Sequence, residues 1–240
     1  MTFLLIHGAW HGAWCWDGFI DTLESRGERA VAIDLPGAGP NGKPGWGITL
    51  DDYAEAVNTA ASKIDGEVHL VGHSMGGLSI SVAAEARPEL YESLSYVSAF
   101  MLKDQSLIDV VKKGYDAPLF MKATKVPNLL RGYGEIRPDA APAVFYNNCS
   151  QQDANAAAAQ LCPQPSKPSF SKVRVSEPRW GSIRRSYVHC TQDNALPLAN
   201  QQDFVANLPC AQVTTLDTDH SPFMSTPDLL ADALIAFAKG

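Results

Sequence analysis

The chain has 240 residues, 45% hydrophobic and 19% charged, which suits one substantial core and excludes a disordered or membrane-embedded polypeptide. A formal net charge of −7 without a compensating basic cluster argues against nucleic acid as a partner, because phosphate backbones are held by basic stripes. No apolar run reaches the ~18 residues of a membrane span, and five scattered cysteines without a C-x-x-C fit reduced thiols in a cytoplasmic protein.

Phe3–His7 reads as a short apolar strand. The segment from Thr2 has neither a basic leader nor a cleavage site, so a signal peptide is not expected. The strand runs into a Gly-rich loop, Gly8 to Trp16, whose repeated His-Gly-Ala-Trp is too short to be a structural repeat. Such loops turn backbone N–H groups toward anions, and the N–H of Ala9 is the candidate donor. The plainer alternative is a loop held down by Trp10, Trp14 and Trp16. His7 and His11 share the i, i+4 spacing of some zinc sites, but they lie in a loop and lack the accompanying Glu, so no metal site is expected.

Asp17 opens a helix through Phe19, Ile20 and Leu23, closed by Gly27, and Arg29–Leu35 is a second strand. The loop Pro36–Gly45 is dense in breakers. Its glycines are not followed by G-K-[ST], which excludes a phosphate loop. Thr49, with Asp52 three residues on, caps a helix running toward Ile64. Val68–Val71 is a buried strand, followed at once by Gly72-x-Ser74-x-Gly76 and by a helix over Leu78–Ala86 that ends at Pro88. At average composition a G-x-S-x-G arises by chance in about one chain in ten of this length. Strand, sharp turn and helix around it identify a nucleophile elbow, which lifts Ser74 above the sheet and aims the N–H of Met75 at its target. A further strand follows at Leu94–Phe100.

Strand and helix alternate to this point, which predicts an α/β class protein with a mostly parallel, doubly wound sheet. The pattern then changes. Half of the 16 prolines, Pro127 among them, fall between Met101 and Arg179. Helical pieces are expected there at Ser106–Lys113, Ala140–Tyr146 and Gln151–Leu161. This stretch reads as a mainly helical cap (102–179) inserted in a core made of residues 1–101 and 180–240. Alternation resumes with a strand at Ser186–Thr191, a helix from Pro197 to Asn207, a strand at Gln212–Leu216 and a last helix from Pro227 to Lys239.

A serine hydroxyl needs a base to act as a nucleophile, and the base needs an orienting acid. On a doubly wound sheet these partners lie in loops after later strands, in chain order Ser, Asp, His. Asp193 follows the strand ending at Cys190-Thr191, and His220 follows the strand ending near Leu216. His69 and His189 lie in strands, His73 lies inside the elbow, and His7 and His11 come before it. Asp104 is the rival acid, and Asp217 and Asp219 are too near His220 in sequence to reach its far ring nitrogen. The expected constellation is therefore Ser74, His220 and Asp193, with the N–H groups of Ala9 and Met75 as an oxyanion hole and no cofactor.

With these pieces placed, the chain resembles an α/β-hydrolase, and more narrowly the branch of plant methylesterases of the salicylic-acid-binding type and plant hydroxynitrile lyases. The matching segments are His7–Trp14, Gly72–Gly77, Cys190–Asp193 and Asp219-His220, spread across the chain; only the cap is weakly matched. The resemblance implies small, uncharged or aromatic esters as substrates. The lyases carry threonine where Gly8 stands and lysine where Asn194 stands, so the chain falls on the esterase side. A lactonase, or a ligand receptor without turnover, shares the same frame, and a bacterial branch acts on bulkier, pyrethroid-like esters. Phe100, Leu119, Phe120, Met121 and Met224 are candidate apolar pocket residues. A homodimer is an expectation by analogy alone.

Overall fold

The computed structural model describes residues 1–40, 42–125 and 130–240; Asn41 of the second loop and Pro127 of the cap lie outside the described residues. Six strands form one wholly parallel sheet: β1 (Thr2–Ile6), β2 (Arg29–Ile33), β3 (Val68–His73), β4 (Ser93–Val97), β7 (Arg184–Cys190) and β8 (Gln212–Leu216). A separate antiparallel pair, β5 (Tyr133–Gly134) and β6 (Gln164–Pro165), belongs to the cap. The order across the main sheet is β2-β1-β3-β4-β7-β8. Central strands β1, β3 and β4 are buried throughout and lack polar alternation because helices cover both faces. Edge strands β2 and β8 are partly exposed.

Alternate strand residues feed two cores. Leu4, Ile6, Leu70 and Tyr96 pack with α2 (Leu50–Ala61) and α3 (Gly76–Ala86). On the other face Phe3, Leu5, Val71 and Val97 pack with α1 (Asp17–Glu24) and α11 (Pro227–Lys239). Thr49 caps α2 reciprocally with Asp52, satisfying two otherwise orphaned N–H groups at the helix start. Between β4 and β7 the cap carries α4 (Leu107–Gly114), α5 (Pro118–Ala123), α6 (Ala141–Phe145), α7 (Gln151–Ala158) and α8 (Lys167–Phe170). The chain then completes α9 (Leu198–Asn207), α10 (Pro222–Ser225) and α11. All five cysteines are free thiols. No described helix is long and apolar enough to cross a membrane.

Several boundaries shift from the sequence reading, the second strand ending at Ile33 and α7 at Ala158 among them, and two differences go further. The fourth strand stops at Val97 instead of Phe100, because Ser98 takes a left-handed conformation (φ 38°) and turns the chain away. In the cap, α5, α8 and the β5–β6 pair are additional elements, each too short to show a periodic apolar pattern.

Topology places the site. From β1 the chain moves outward to β2 and then returns across β1 to β3, so β1 and β3 flank a switch point. Crevices at the carboxyl ends of strands open at such points. The loops after β1 and β3 therefore stand side by side, one carrying Ala9 and the other Ser74.

Candidate active site

Ser74 sits between β3 and α3 with φ 52°, a left-handed conformation that costs a non-glycine residue on the order of 1–3 kcal/mol. Hydrogen bonds hold the turn: the Ser74 N–H donates to Val97 O (3.2 Å), and Ser74 O accepts from the N–H groups of Gly77 (3.1 Å) and Phe100 (3.0 Å). Gly76 has to be glycine, since a Cβ there would lie 2.7 Å from the carbonyl oxygens of both Ile6 and His7. Among the described residues the Ser74 hydroxyl makes no hydrogen bond, and the N–H groups of Ala9 and Met75 have no partner.

Asp193 and His220 meet. His220 Nδ1 donates to Asp193 Oδ2 at 2.6 Å, with both side chains buried. The other carboxylate oxygen accepts the N–H groups of Ala195 and Leu196, each at 2.7 Å, and the Ser98 hydroxyl donates to Oδ2. Four donors on one buried carboxylate fix its plane. In the neutral ring, a proton on Nδ1 leaves Nε2 as the nitrogen with the lone pair.

His73 ties His220 to the elbow. Its Nε2–H donates to the His220 carbonyl at 2.7 Å, and the two rings lie 4.5 Å apart. Burial pushes the His73 imidazole well below its usual value, so the ring is neutral. Asp219 braces the His220 loop from the other side, accepting from Ser221 N–H (3.0 Å), Ser225 Oγ (2.7 Å) and the cap's Asn148 N–H (2.8 Å). The rival acid Asp104 is exposed, and its N–H donates to Val173 O.

The Gly-rich loop is pinned by its own histidines. His7 Nδ1 donates to Gly8 O (2.8 Å) while its Nε2 accepts Leu35 N–H (3.1 Å). His11 Nδ1 donates to Ala9 O (2.8 Å) and its Nε2 accepts the Tyr146 hydroxyl (2.7 Å). Both nitrogens of each ring are thereby occupied.

Over Ser74 lies a cavity of about 60 Å³ bounded by Ala9, Met75, Phe100, Tyr115, Phe120 and Phe145. Trp10, Leu107, Val111, Phe120, Gln164 and Ser169 also line a wider groove of about 360 Å³ just outside. A groove of about 510 Å³ between α4 and α9 touches none of the candidate catalytic side chains.

Of the expected pocket residues, Phe100 and Phe120 line the inner cavity, and half-exposed Met121 lines only the outer groove. Leu119 and Met224 do not line either. Successive helical residues diverge by about 100°, so with Phe120 inward Leu119 faces solvent. Met224 lies on α10 behind the His220 loop, beside Trp14 and Phe223. Ser98, Tyr115, Phe145 and Gln164 contribute to the site with no sequence signal of their own; only the fold brings them there.

A family model described as the alpha/beta hydrolase family matches residues 3–233. The chain is an α/β-hydrolase. Methylesterase 7 of Arabidopsis thaliana is 31% identical, over 98% of this α/β-hydrolase and 95% of that protein. Putative methylesterase 11, chloroplastic, of the same plant is 31% identical over 99% of this chain, which spans 64% of that longer protein. The crystal structure of a pyrethroid hydrolase from Sphingobium faniae JZ-2 superposes with a TM-score of 0.90 at 26% identity, covering 100% of this chain and 98% of that one. By these relationships the α/β-hydrolase groups with carboxylic ester hydrolases.

Proposed function

We propose that this α/β-hydrolase is a serine carboxylesterase that hydrolyses small, mainly apolar or aromatic esters through an acyl-enzyme on Ser74. The observation that carries the reading is the buried Asp193–His220 hydrogen bond, tied through His73 (2.7 Å to the His220 carbonyl) to the turn that holds a strained Ser74. In the cycle, His220 Nε2 takes the Ser74 proton as Oγ attacks the ester carbonyl. Asp193 stabilises the imidazolium and keeps its orientation. The N–H groups of Ala9 and Met75 receive the developing oxyanion, a contribution of ~3–4 kcal/mol for one donor. His220 protonates the departing alcohol, then activates the water that releases the acid.

Cavity dimensions support an ester with one small arm beside Ser74 and a larger apolar arm in the outer groove. Two features weigh against cyanohydrin cleavage. A Cβ at position 8 would lie 2.8 Å from Ser74 Cβ, leaving little room for a threonine, and Asn194 is turned to the Ala143 carbonyl (2.9 Å). The partner is thus a small-molecule ester.

The test is a turnover panel of p-nitrophenyl acetate to octanoate, methyl salicylate, a lactone and mandelonitrile, on wild type and Ser74→Ala. Ester turnover lost in the variant is expected. Cyanide release without ester hydrolysis, or a Ser74→Ala enzyme of undiminished rate, would overturn the reading.

A further inference from the structure

The oxyanion loop is held less by the core than by the cap. A peptide unit is planar and trans, so its C=O and N–H point in opposite directions. Fixing the Gly8 carbonyl through His7 therefore aims the Ala9 N–H away from His7. Fixing the Ala9 carbonyl through His11 aims the Trp10 N–H, which donates to Gln164 Oε1 of the cap at 3.2 Å. The Trp10 carbonyl accepts the N–H of Cys162, also of the cap, at 2.8 Å. Three successive carbonyls are thus pinned around a residue, Trp10, whose φ of 64° has no intrinsic preference to stay there.

His11 is the joint between the two bodies. Its ring stacks on Trp14 at 5.6 Å, which fixes the ring plane. Only the Nδ1–H tautomer can donate to Ala9 O; the other would set two lone pairs against each other. The Tyr146 hydroxyl, donating to Nε2, selects the productive tautomer. His11 and Tyr146 are both about 1% exposed, so no water takes over either role.

We propose that Tyr146 and His11 form a positioning relay through which the cap steadies the oxyanion loop: Tyr146 fixes the His11 tautomer, His11 pins the Ala9–Trp10 peptide through the Ala9 carbonyl, and Ala9, held on its other side by the Gly8–Ala9 peptide that His7 fixes, keeps its N–H in place. The relay rests on the esterase reading above. Burial places the His11 imidazole at about 3, so the relay is neutral throughout the working pH range. Its effect belongs to the transition state, since the ground-state ester carbonyl asks little of an oxyanion donor.

The experiment compares Tyr146→Phe, His11→Leu and His11→Asn with wild type on p-nitrophenyl acetate. It also measures inhibition by a trifluoromethyl ketone, which adds to the serine and forms an oxyanion, and by the matching methyl ketone, which does not. Tyr146→Phe and His11→Leu are expected to lower kcat by about tenfold with KM within twofold, short of the 10²–10³ for a donor removed outright. Trifluoromethyl ketone affinity should fall by a similar factor while methyl ketone affinity holds. His11→Asn, whose amide N–H stands near the Nδ1 position, should recover most of the loss. Tyr146→Phe keeps the ring and its contact with Phe145 (5.9 Å), so it reports even where a His11 variant fails to fold. A folded Tyr146→Phe enzyme with kcat within twofold of wild type, or both ketones weakened alike, overturns the relay. A wild type without ester turnover would instead overturn the esterase reading.

Discussion

Gly8→Ala adds one methyl group at the point where two loops meet. Its Cβ would stand 2.8 Å from Ser74 Cβ, 3.1 Å from His73 Nδ1 and 3.3 Å from His73 O. Carbon atoms rest at roughly 3.5–4.0 Å, so the first contact alone is short by about 0.7 Å. The elbow cannot retreat, since hydrogen bonds to Val97, Gly77 and Phe100 hold Ser74. The loop that carries Ala9 must therefore back away, taking the Ala9 N–H with it. Overpacking of this kind costs about 1–3 kcal/mol, which at 2–4 °C per kcal/mol for a chain of this size lowers Tm by roughly 2–12 °C. Loss of a complete donor would cost about 2.7–4 kcal/mol of transition-state stabilisation, and a displaced one a substantial part of it. We expect kcat to fall at least about tenfold with little change in KM. Initial rates on p-nitrophenyl acetate, with a thermal melt on the same samples, check both. A Gly8→Ala enzyme with wild-type kcat would refute the assignment of this loop to the oxyanion hole.

Three other perturbations follow from the same geometry. Asp193→Asn leaves His220 without the carboxylate that fixes its tautomer and should reduce kcat by about 10⁴, with Ser98→Ala, which removes one donor to that carboxylate, giving a several-fold loss; equal rates for wild type and Asp193→Asn would show that another residue is the acid. Phe120→Ala joins the inner cavity to the outer groove and should raise octanoate turnover relative to acetate, while the solvent-facing Leu119→Ala leaves that ratio unchanged; identical profiles for the two variants would contradict the pocket assignment. Burial pushes His7 and His73 below their usual values and His11 to about 3. Each such histidine binds its proton only on unfolding, so its contribution is complete above about pH 6.5 and is lost as pH falls, at about 1.4 kcal/mol per pH unit and, for His11, down to about pH 3. Urea melts at pH 7, 6 and 5 should show that decline, and a flat profile would refute it.

The alternation of strand and helix was legible because the central strands are continuous apolar runs and their helices carry a buried stripe. Ser74, Asp193 and His220 could be picked out because each follows a strand, in an order the topology requires. Met75 and Ala9 were singled out for a related reason: both belong to loops whose glycines permit a close approach. The pocket was not. Leu119, Phe120 and Met121 are equally apolar, and only the turn of α5 decides that the middle one faces Ser74. Nor was the bracing of the site. Ser98 reaches Asp193 because its left-handed turn ends β4 early, and His11 meets Tyr146 across 135 residues of sequence. Such long-range polar contacts leave no periodicity to read.

The most direct measurement on the central claim is to mix the enzyme with a slowly deacylating p-nitrophenyl ester, quench in acid and map the covalent adduct by mass spectrometry. The account predicts one acyl group per chain, on the peptide containing Ser74, and none on Ser74→Ala protein that remains folded. Hydrolysis in the absence of any adduct, or an acyl group on a residue other than Ser74, would contradict it.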